Sequence, residues 1–248
     1  MYPPNLRVYA DRGQLCQSVA QRIAECVREK PDAVLGLPTG ATPIAVYQEL
    51  AEMCRQKTLD FSRVITFNLD EYFPMPPQSP PSYHAFMRRH LFDHVNCRRW
   101  FVPDGTARSA AQVGDDCATY EQRIQEVGGL DLVLLGIGRT GHIGFNEPGS
   151  LADTRTRLVV LAPETRADAL PDFGNPNLVP SQAITMGVGT ILEARAIILM
   201  ASGERKADAV RQAVEGDITA LVPASFLRRH PNVGIYLDMA AAQFLSAA

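Results

Sequence analysis

The chain has 248 residues, of which 46% are hydrophobic and 21% charged, with a formal net charge of −3. This balance is typical of a globular protein and gives no electrostatic reason to expect nucleic acid or an anionic membrane as a partner. The five cysteines are scattered and contain no Cys-x-x-Cys pair, which argues against a disulfide framework and a structural zinc site. Because the N-terminus lacks a secretory signal and no apolar run reaches about 18 residues, we expect a cytoplasmic protein.

Short apolar runs alternate along the chain with longer amphipathic stretches. The runs predicted as strands are residues 6–9, 33–37, 64–67, 130–135, 157–161, 196–200 and 233–237. Helical patterns cover 15–27, where Leu15, Val19, Ile23 and Val27 form one stripe, and then 44–54, 109–127 and 204–214. This alternation predicts an α/β fold: a three-layer, Rossmann-like open sheet, mostly parallel, with helices on both faces. Without a long linker or a repeat, residues 1–248 are expected to form one domain.

Ligands bind beyond the carboxyl ends of the strands in such sheets, and four loops there carry chemical groups. The first loop, residues 36–43, reads Gly-Leu-Pro-Thr-Gly-Ala-Thr-Pro. Thr42 is expected to cap the following helix, with Pro43 at its first position. The free N–H groups of that helix end, with the hydroxyls of Thr39 and Thr42, favour a bound anion. A capped turn without a ligand is the alternative, and neither a Walker A loop nor a dinucleotide fingerprint is present.

The second loop, residues 68–72, reads Asn-Leu-Asp-Glu-Tyr and follows the third predicted strand. A carboxylate held at a strand end suits a general base. Because adjacent side chains diverge, we expect only one of Asp70 and Glu71 to face the ligand; a solvated acidic turn is the alternative. No metal-ligand spacing connects these acids to the histidines, so no metal site is expected. The proline-rich residues 74–81 are predicted to shape a loop or lid beside the site.

The third loop, residues 136–149, reads Gly-Ile-Gly-Arg-Thr-Gly-His-Ile-Gly-Phe-Asn-Glu-Pro-Gly. Its glycines leave room for a ligand to approach the backbone. His142 and Glu147, five residues apart, form a pair able to move protons near neutral pH. A purely structural glycine loop, which would need neither side chain, is the alternative.

The fourth loop, residues 201–206, is expected to place Lys206 in the first turn of a helix. A cation is unfavourable there unless a bound phosphate compensates the helix dipole. The alternative is a solvated surface lysine. Together the four loops predict a small phosphorylated substrate that undergoes proton transfer without a cofactor.

At these residues the chain resembles the glucosamine-6-phosphate deaminase family, also called glucosamine-6-phosphate isomerases. The related 6-phosphogluconolactonases share the fold, but their histidine loop does not continue into Phe-Asn-Glu-Pro, so Glu147 favours the deaminases. The matching segments are residues 36–43, 67–72, 82–83, 86–87, 141–148, 186–192 and 202–216.

The resemblance implies a cofactor-free enzyme, a hydrolase acting on an amino-sugar phosphate, that converts glucosamine 6-phosphate to fructose 6-phosphate and ammonia. His142 would assist opening of the sugar ring, with its charge state maintained by Glu147. Asp70 would carry the C2 proton toward C1, and water would then displace ammonia at C2. The phosphate would rest on Gly40, Ala41 and Thr42, with Lys206 as its charged partner. The remaining expected substrate contacts are Thr39, Glu71, Tyr72, Tyr83 and Gly138.

Three departures from the family pattern stand out. Thr140, which we place in the catalytic set, replaces a usual Asp or Asn, and a hydroxyl cannot stabilise an imidazolium as a carboxylate does. An arginine that binds phosphate in family members is missing near Leu170 and Pro171, and Arg166 is the nearby candidate to replace it. A lysine of the allosteric site in hexameric members corresponds to Val159, and their longer C-terminal extension is missing, so we expect no activation by N-acetylglucosamine 6-phosphate.

The sequence leaves several alternatives open. The expected partner is a small sugar phosphate, and galactosamine 6-phosphate or a 6-phosphogluconolactone are alternative substrates. Thr140 and the missing arginine also allow a sugar-phosphate sensor that binds without turnover. The chain could act as a monomer or a homo-oligomer.

Overall fold

A computed structural model of the protein describes residues 5–106 and 109–246. Ten strands form two sheets. The strands are β1 Leu6–Tyr9, β2 Val34–Leu37, β3 Ile65–Asn68, β4 Asp70–Phe73, β5 Arg99–Phe101, β6 Leu132–Leu135, β7 Arg157–Val160, β8 Gln182–Thr185, β9 Ile197–Ala201 and β10 Val233–Asp238. The main sheet has seven strands in the order β1-β10-β9-β6-β2-β3-β5, and every pairing in it is parallel.

Helices cover both faces of the main sheet, which confirms the predicted three-layer α/β class. Alternate side chains of each central strand pack into opposite layers, so Leu132 and Leu134 contact the layer of α1 and α2, whereas Val133 and Leu135 face the other layer. The helices are α1 Arg12–Glu29, α2 Ile44–Arg55, α3 Tyr83–Met87, α4 Ala110–Glu126, α5 Pro163–Phe173, α6 Val188–Leu192, α7 Ala207–Glu215 and α8 Met239–Ala242. Within the described residues, no helix has the length and hydropathy of a membrane span.

The second sheet corrects one expectation. The run 157–161 does not join the main sheet: it forms β7 at the edge of a separate antiparallel sheet of order β4-β8-β7. The side chains of β7 are only partly buried, unlike the fully buried strand β6. An apolar run therefore indicated a strand here but not the sheet that the strand joins.

Two helix starts also differ from expectation. α2 begins at Ile44, and Pro43 occupies the cap position without a side-chain cap bond, so the predicted capping by Thr42 is wrong. The backbone of Pro43 is already helical, and its carbonyl accepts the first helical hydrogen bond, from Tyr47. Lys206 closes a 3-10 turn, Glu204–Lys206, directly before α7 rather than lying in the first turn of that helix.

The carboxylate of Glu121 connects the second sheet to α4. It accepts hydrogen bonds of 2.5–2.8 Å from the hydroxyls of Thr156 and Thr190 and from the Thr156 N–H, and it pairs with Arg155 at 2.9 Å. Glu121, Thr156 and Thr190 are all buried, so water cannot readily replace the carboxylate as the acceptor for the two threonines. The carboxylate thus fixes the strand that follows Thr156 against the main body of the fold.

We expect Glu121→Ala to lower the free energy of unfolding by about 3 kcal/mol, because it leaves several buried donors without an acceptor. Urea denaturation measures this change. Glu126→Ala, an exposed position on the same helix, is the matched control and should cost about 0.5 kcal/mol or less. Equal losses in the two variants would contradict the role given to Glu121.

Candidate active site

The four predicted segments lie side by side at one edge of the main sheet. The second of them, residues 68–72, is not a loop as predicted, because Asn68 ends β3 and Asp70 begins β4. The four segments follow β9, β6, β2 and β3, which are four consecutive strands in the parallel sheet. All four strands point the same way, so their carboxyl ends meet in one place. The sequence could place these segments only at the ends of strands, and the strand order shows that they are neighbours.

The turn before His142 depends on glycine. The Gly138 N–H donates to the His142 carbonyl at 2.9 Å, and the Gly141 N–H donates to the Gly138 carbonyl at 3.0 Å. A Cβ atom on Gly138 would lie 2.1 Å from the imidazole ring of His142. The space that we expected a ligand to use at Gly138 is thus occupied by the catalytic candidate itself, and a direct substrate contact of Gly138 stays a prediction.

His142, Thr140 and Glu147 form one hydrogen-bonded group. The Nδ1 atom of His142 lies 2.9 Å from the Thr140 hydroxyl and 3.1 Å from Glu147 Oε2, and the Thr140 hydroxyl donates to the same carboxylate oxygen at 3.3 Å. These two acceptors favour the tautomer of the neutral ring that carries its proton on Nδ1. In the described part of the chain no protein group bonds to Nε2, which is therefore the ring atom available to a substrate.

The other oxygen of Glu147 is held by the start of α5. It accepts hydrogen bonds from the Thr165 hydroxyl at 2.5 Å and the Ala162 N–H at 3.3 Å. Burial raises the pKa of Glu147, but the hydrogen bond and charge of His142, together with these two donors, outweigh it and leave the pKa lowered. Glu147 is accordingly an ionised acceptor beside the imidazole.

Asp70 lies against the histidine loop in a dry position. Its side chain is 5% exposed, and its Oδ1 atom has no hydrogen-bond partner among the described residues. A Cβ atom on Gly144 would lie 3.4 Å from Asp70 Oδ2 and 2.9 Å from the Thr185 hydroxyl, and Gly144 has a φ of +55°. Burial, with the charge of Glu71 as a smaller cause, raises the pKa of Asp70 to about 8. A carboxylate with these properties suits proton abstraction near neutral pH.

Glu71 turns away from Asp70, which confirms that the two side chains diverge. Its oxygens accept hydrogen bonds from the N–H groups of Tyr72, Tyr83 and His84 at 2.9–3.0 Å. Burial raises the pKa of Glu71 to about 7, and the three N–H donors oppose that shift. Glu71 thereby holds the start of α3, and its expected contact with a substrate stays a prediction.

An aromatic cluster connects three of the site's segments. The hydroxyls of Tyr72 and Tyr83 are 3.2 Å apart, and both rings pack within 6 Å of the ring of Phe145 in the histidine loop. The Tyr83 hydroxyl also interacts with the side chain of Thr39 in the first loop. The cluster thus fixes the first loop, α3 and the histidine loop relative to one another.

The loop at residues 39–42 offers backbone groups rather than side-chain charge. Gly40 has a φ of +108°, which favours glycine, and among the described residues no atom beyond Gly40 and its two chain neighbours lies within 4 Å of the position of a Cβ. The Ala41 carbonyl accepts a hydrogen bond from Arg12, and Thr42 leads into α2. Lys206 follows β9, two strands away from β2 at the same edge of the sheet. Its pKa is lowered, mainly by burial and to a smaller extent by the charge of Arg139, and the charge of Asp168 opposes this shift.

The contacts of Arg166 do not support its predicted role in place of the missing phosphate-binding arginine. Its Nη2 atom donates to the Val179 carbonyl at 3.1 Å, and its buried Nε atom has no partner among the described residues. Leu170 and Pro171 both lie inside α5. The replacement suggested by sequence proximity therefore remains a prediction without a contact that supports it.

Two residues of the site were missed. Asp238 ends β10 and accepts hydrogen bonds from the Ser202 hydroxyl at 2.6 Å and the Gly203 N–H at 3.0 Å, so it fixes the loop that carries Lys206. An acid directly after a predicted strand was a usable signal for it. Thr165 had no such signal, because it lies 18 positions from Glu147 in the sequence.

Comparisons with known proteins identify the family of the chain. The sequence model described as glucosamine-6-phosphate isomerases/6-phosphogluconolactonase matches residues 11–235. The chain is 47% identical over 234 residues to the glucosamine-6-phosphate deaminase of Halothermothrix orenii, covering 94% of this chain and 96% of that protein. It is also 47% identical over 231 residues to the enzyme of that name from Bacillus velezensis, covering 92% and 95% of the two chains.

One solved structure supports the same assignment, and a second shares the fold. A structure described as a monomeric glucosamine-6-phosphate deaminase superposes with a TM-score of 0.93 at 40% identity, covering 96% of this chain and 99% of that one. The 6-phosphogluconolactonase of Trypanosoma brucei has a TM-score of 0.78 at 22% identity, covering 99% and 100% of the two chains, and so shares the fold. The chain therefore belongs to the glucosamine-6-phosphate isomerase/6-phosphogluconolactonase family.

Proposed function

We propose that this chain converts glucosamine 6-phosphate and water to fructose 6-phosphate and ammonia. The observation that carries the proposal is the close approach of the buried Asp70 carboxylate to the histidine loop: a Cβ atom on Gly144, two residues after His142, would lie 3.4 Å from Asp70 Oδ2. The relatives at 47% identity are named for this deaminase activity. They support an isomerisation with loss of ammonia, and the expected label of hydrolase has no support from them.

His142 is the proposed group for ring opening. With Nδ1 directed at Thr140 and Glu147, its Nε2 atom is the one that would exchange a proton with the ring oxygen of the substrate. The ionised Glu147 stabilises the charged imidazole. The Thr140 hydroxyl contributes a weaker, neutral hydrogen bond in the place where family members carry Asp or Asn.

Asp70 is the proposed base for the isomerisation. Once the ring is open, its carboxylate would take the proton from C2 and deliver it to C1, while a proton passes from the amino group to O1, which leaves a ketose imine at C2. Water adds to that carbon and ammonia departs, so that one water is consumed for each ammonia released. The raised pKa of Asp70 makes it basic enough for this transfer, and its burial excludes competing water.

The phosphate is proposed to lie on the backbone of Gly40, Ala41 and Thr42, at the start of α2. The partial positive charge of that helix end favours an anion, and Lys206 supplies a full charge nearby. Thr39, Tyr72 and Tyr83 are proposed to line the sugar. A cytoplasmic location and the single domain also stay predictions.

Ammonia release is the direct test. We expect turnover of glucosamine 6-phosphate, and we expect Asp70→Asn to lower kcat at least about 1,000-fold with calorimetric binding largely intact, since the base is lost but the site is not. Faster turnover of galactosamine 6-phosphate would identify it as the preferred substrate. Hydrolysis of phosphogluconolactone would favour the lactonase activity. Binding without turnover in the unmodified chain would favour the sensor and end the proposal.

The pH dependence of kcat/KM tests the base separately. Because Asp70 must be ionised and its pKa is raised to about 8, kcat/KM should rise with pH toward 8. Glu71→Gln removes the neighbouring negative charge and should move this rise to lower pH. Glu126→Gln, at an exposed position on α4, is the control for the loss of a carboxylate elsewhere in the chain. Ionisation of the substrate affects all variants equally and so cannot produce a difference between them. An unmoved profile in Glu71→Gln would contradict the assignment.

Thr140→Asp tests the effect of having threonine where family members carry Asp or Asn. A carboxylate stabilises an imidazolium more strongly than a hydroxyl does, so we expect ring opening to become about fivefold faster, equivalent to ~1 kcal/mol of hydrogen bonding. Single-turnover kinetics on the closed sugar measure this step. Thr140→Asn, neutral and of the same shape as Asp, should give little gain, and equal rates in both variants would show that charge at this position is unimportant.

A further inference from the structure

We propose that the guanidinium of Arg12 is a second cationic partner of the substrate's phosphate, acting beside Lys206. This inference rests on the proposed function and adds a residue to it. Arg12 is the first residue of α1 and lies beyond the carboxyl end of β1, on the same edge of the main sheet as the four loops.

Arg12 reaches the phosphate loop directly. Its Nη2 atom donates to the Ala41 carbonyl at 2.6 Å, across 29 positions of the chain. Ala41 is the middle residue of the segment from Gly40 to Thr42, whose backbone is proposed to bind the phosphate. Arg12 also interacts with the Cys16 thiol, one turn further along α1. A guanidinium has five N–H donors, so these two contacts leave others to face an anion on this loop.

The charge of Arg12 is not neutralised by protein. In residues 5–106 and 109–246 no carboxylate pairs with it within 4 Å. The neighbouring Asp11 uses Oδ1 to cap α1 at the Gln14 N–H. By contrast, Arg139 is held by Asp168 through two contacts of 2.9 Å. Arg12 is therefore the better placed guanidinium for an incoming anion.

The substrate needs such a group. A phosphate monoester carries about −1.5 to −2 charges at pH 7, and Lys206 supplies one positive charge. The arginine that the resemblance implies near Leu170 and Pro171 is missing from α5, and the Nη2 atom of the nearby Arg166 already donates to the Val179 carbonyl, so Arg12 is the proposed source of a second charge. A cation at the start of a helix is also unfavourable alone, and a bound phosphate would relieve that repulsion at Arg12.

The test compares two arginines at opposite ends of α1. Arg28 is exposed, like Arg12, and donates to a loop carbonyl, that of Thr58, at 3.3 Å, but at the far edge of the sheet. We expect Arg12→Gln to raise KM for glucosamine 6-phosphate and the inhibition constant of inorganic phosphate by about tenfold, with kcat within about twofold. It should also flatten the dependence of KM on ionic strength. Arg12→Lys should recover part of the loss, and Arg28→Gln should change neither constant.

Two results would overturn the inference. An unchanged inhibition constant for inorganic phosphate in Arg12→Gln would remove Arg12 from the phosphate site. A parallel loss of kcat, with the ionic-strength dependence of the parent chain, would mean that Arg12 only supports the Ala41 carbonyl. Calorimetric titration of inorganic phosphate into both variants needs no turnover, so it judges Arg12 even if the chain fails to release ammonia and the proposed function falls.

Discussion

The site depends on a single residue where the two sheets meet. Leu69 is 1% exposed; its N–H donates to the Leu37 carbonyl at the end of β2, and its carbonyl accepts a hydrogen bond from Met186 just after β8. The chain thus leaves the parallel sheet and enters the antiparallel one without a loop. Asp70, the next residue, is consequently buried in the junction, and its carboxylate faces the end of the main sheet instead of solvent.

That burial has two consequences for the chemistry. It disfavours the ionised form of Asp70, which makes the carboxylate a stronger base than an exposed one. It also requires the histidine loop to pass very close, and Gly144 satisfies that requirement because it has no side chain to meet Asp70 or Thr185. Asp70 and the histidine loop are therefore brought together by their backbones, which lie close to each other, and not by long, mobile side chains.

The surrounding groups hold this arrangement from three sides. Glu71 fixes the start of α3 through backbone N–H groups, and Glu147 is fixed in turn by Thr165 at the start of α5. The aromatic contact of Tyr83 with Phe145 closes the third side. Each carboxylate near the site has a distinct environment, so acids close together in space differ in pKa and in the roles proposed for them.

Local pattern in the sequence was enough for the α/β class, for the central strands and for the segments that carry the acids, histidine and lysine, because alternation of apolar runs and helical stripes depends only on neighbouring residues. It did not show that residues 68–72 span the end of β3 and the start of β4 rather than a loop. Only the tertiary structure decided that 157–160 joins a second sheet, that Gly138 makes room for His142, that Thr165 supports Glu147 and that Arg12 reaches Ala41. These contacts join residues far apart in the chain, and strand order and side-chain direction, which set them, leave no local trace in a single sequence.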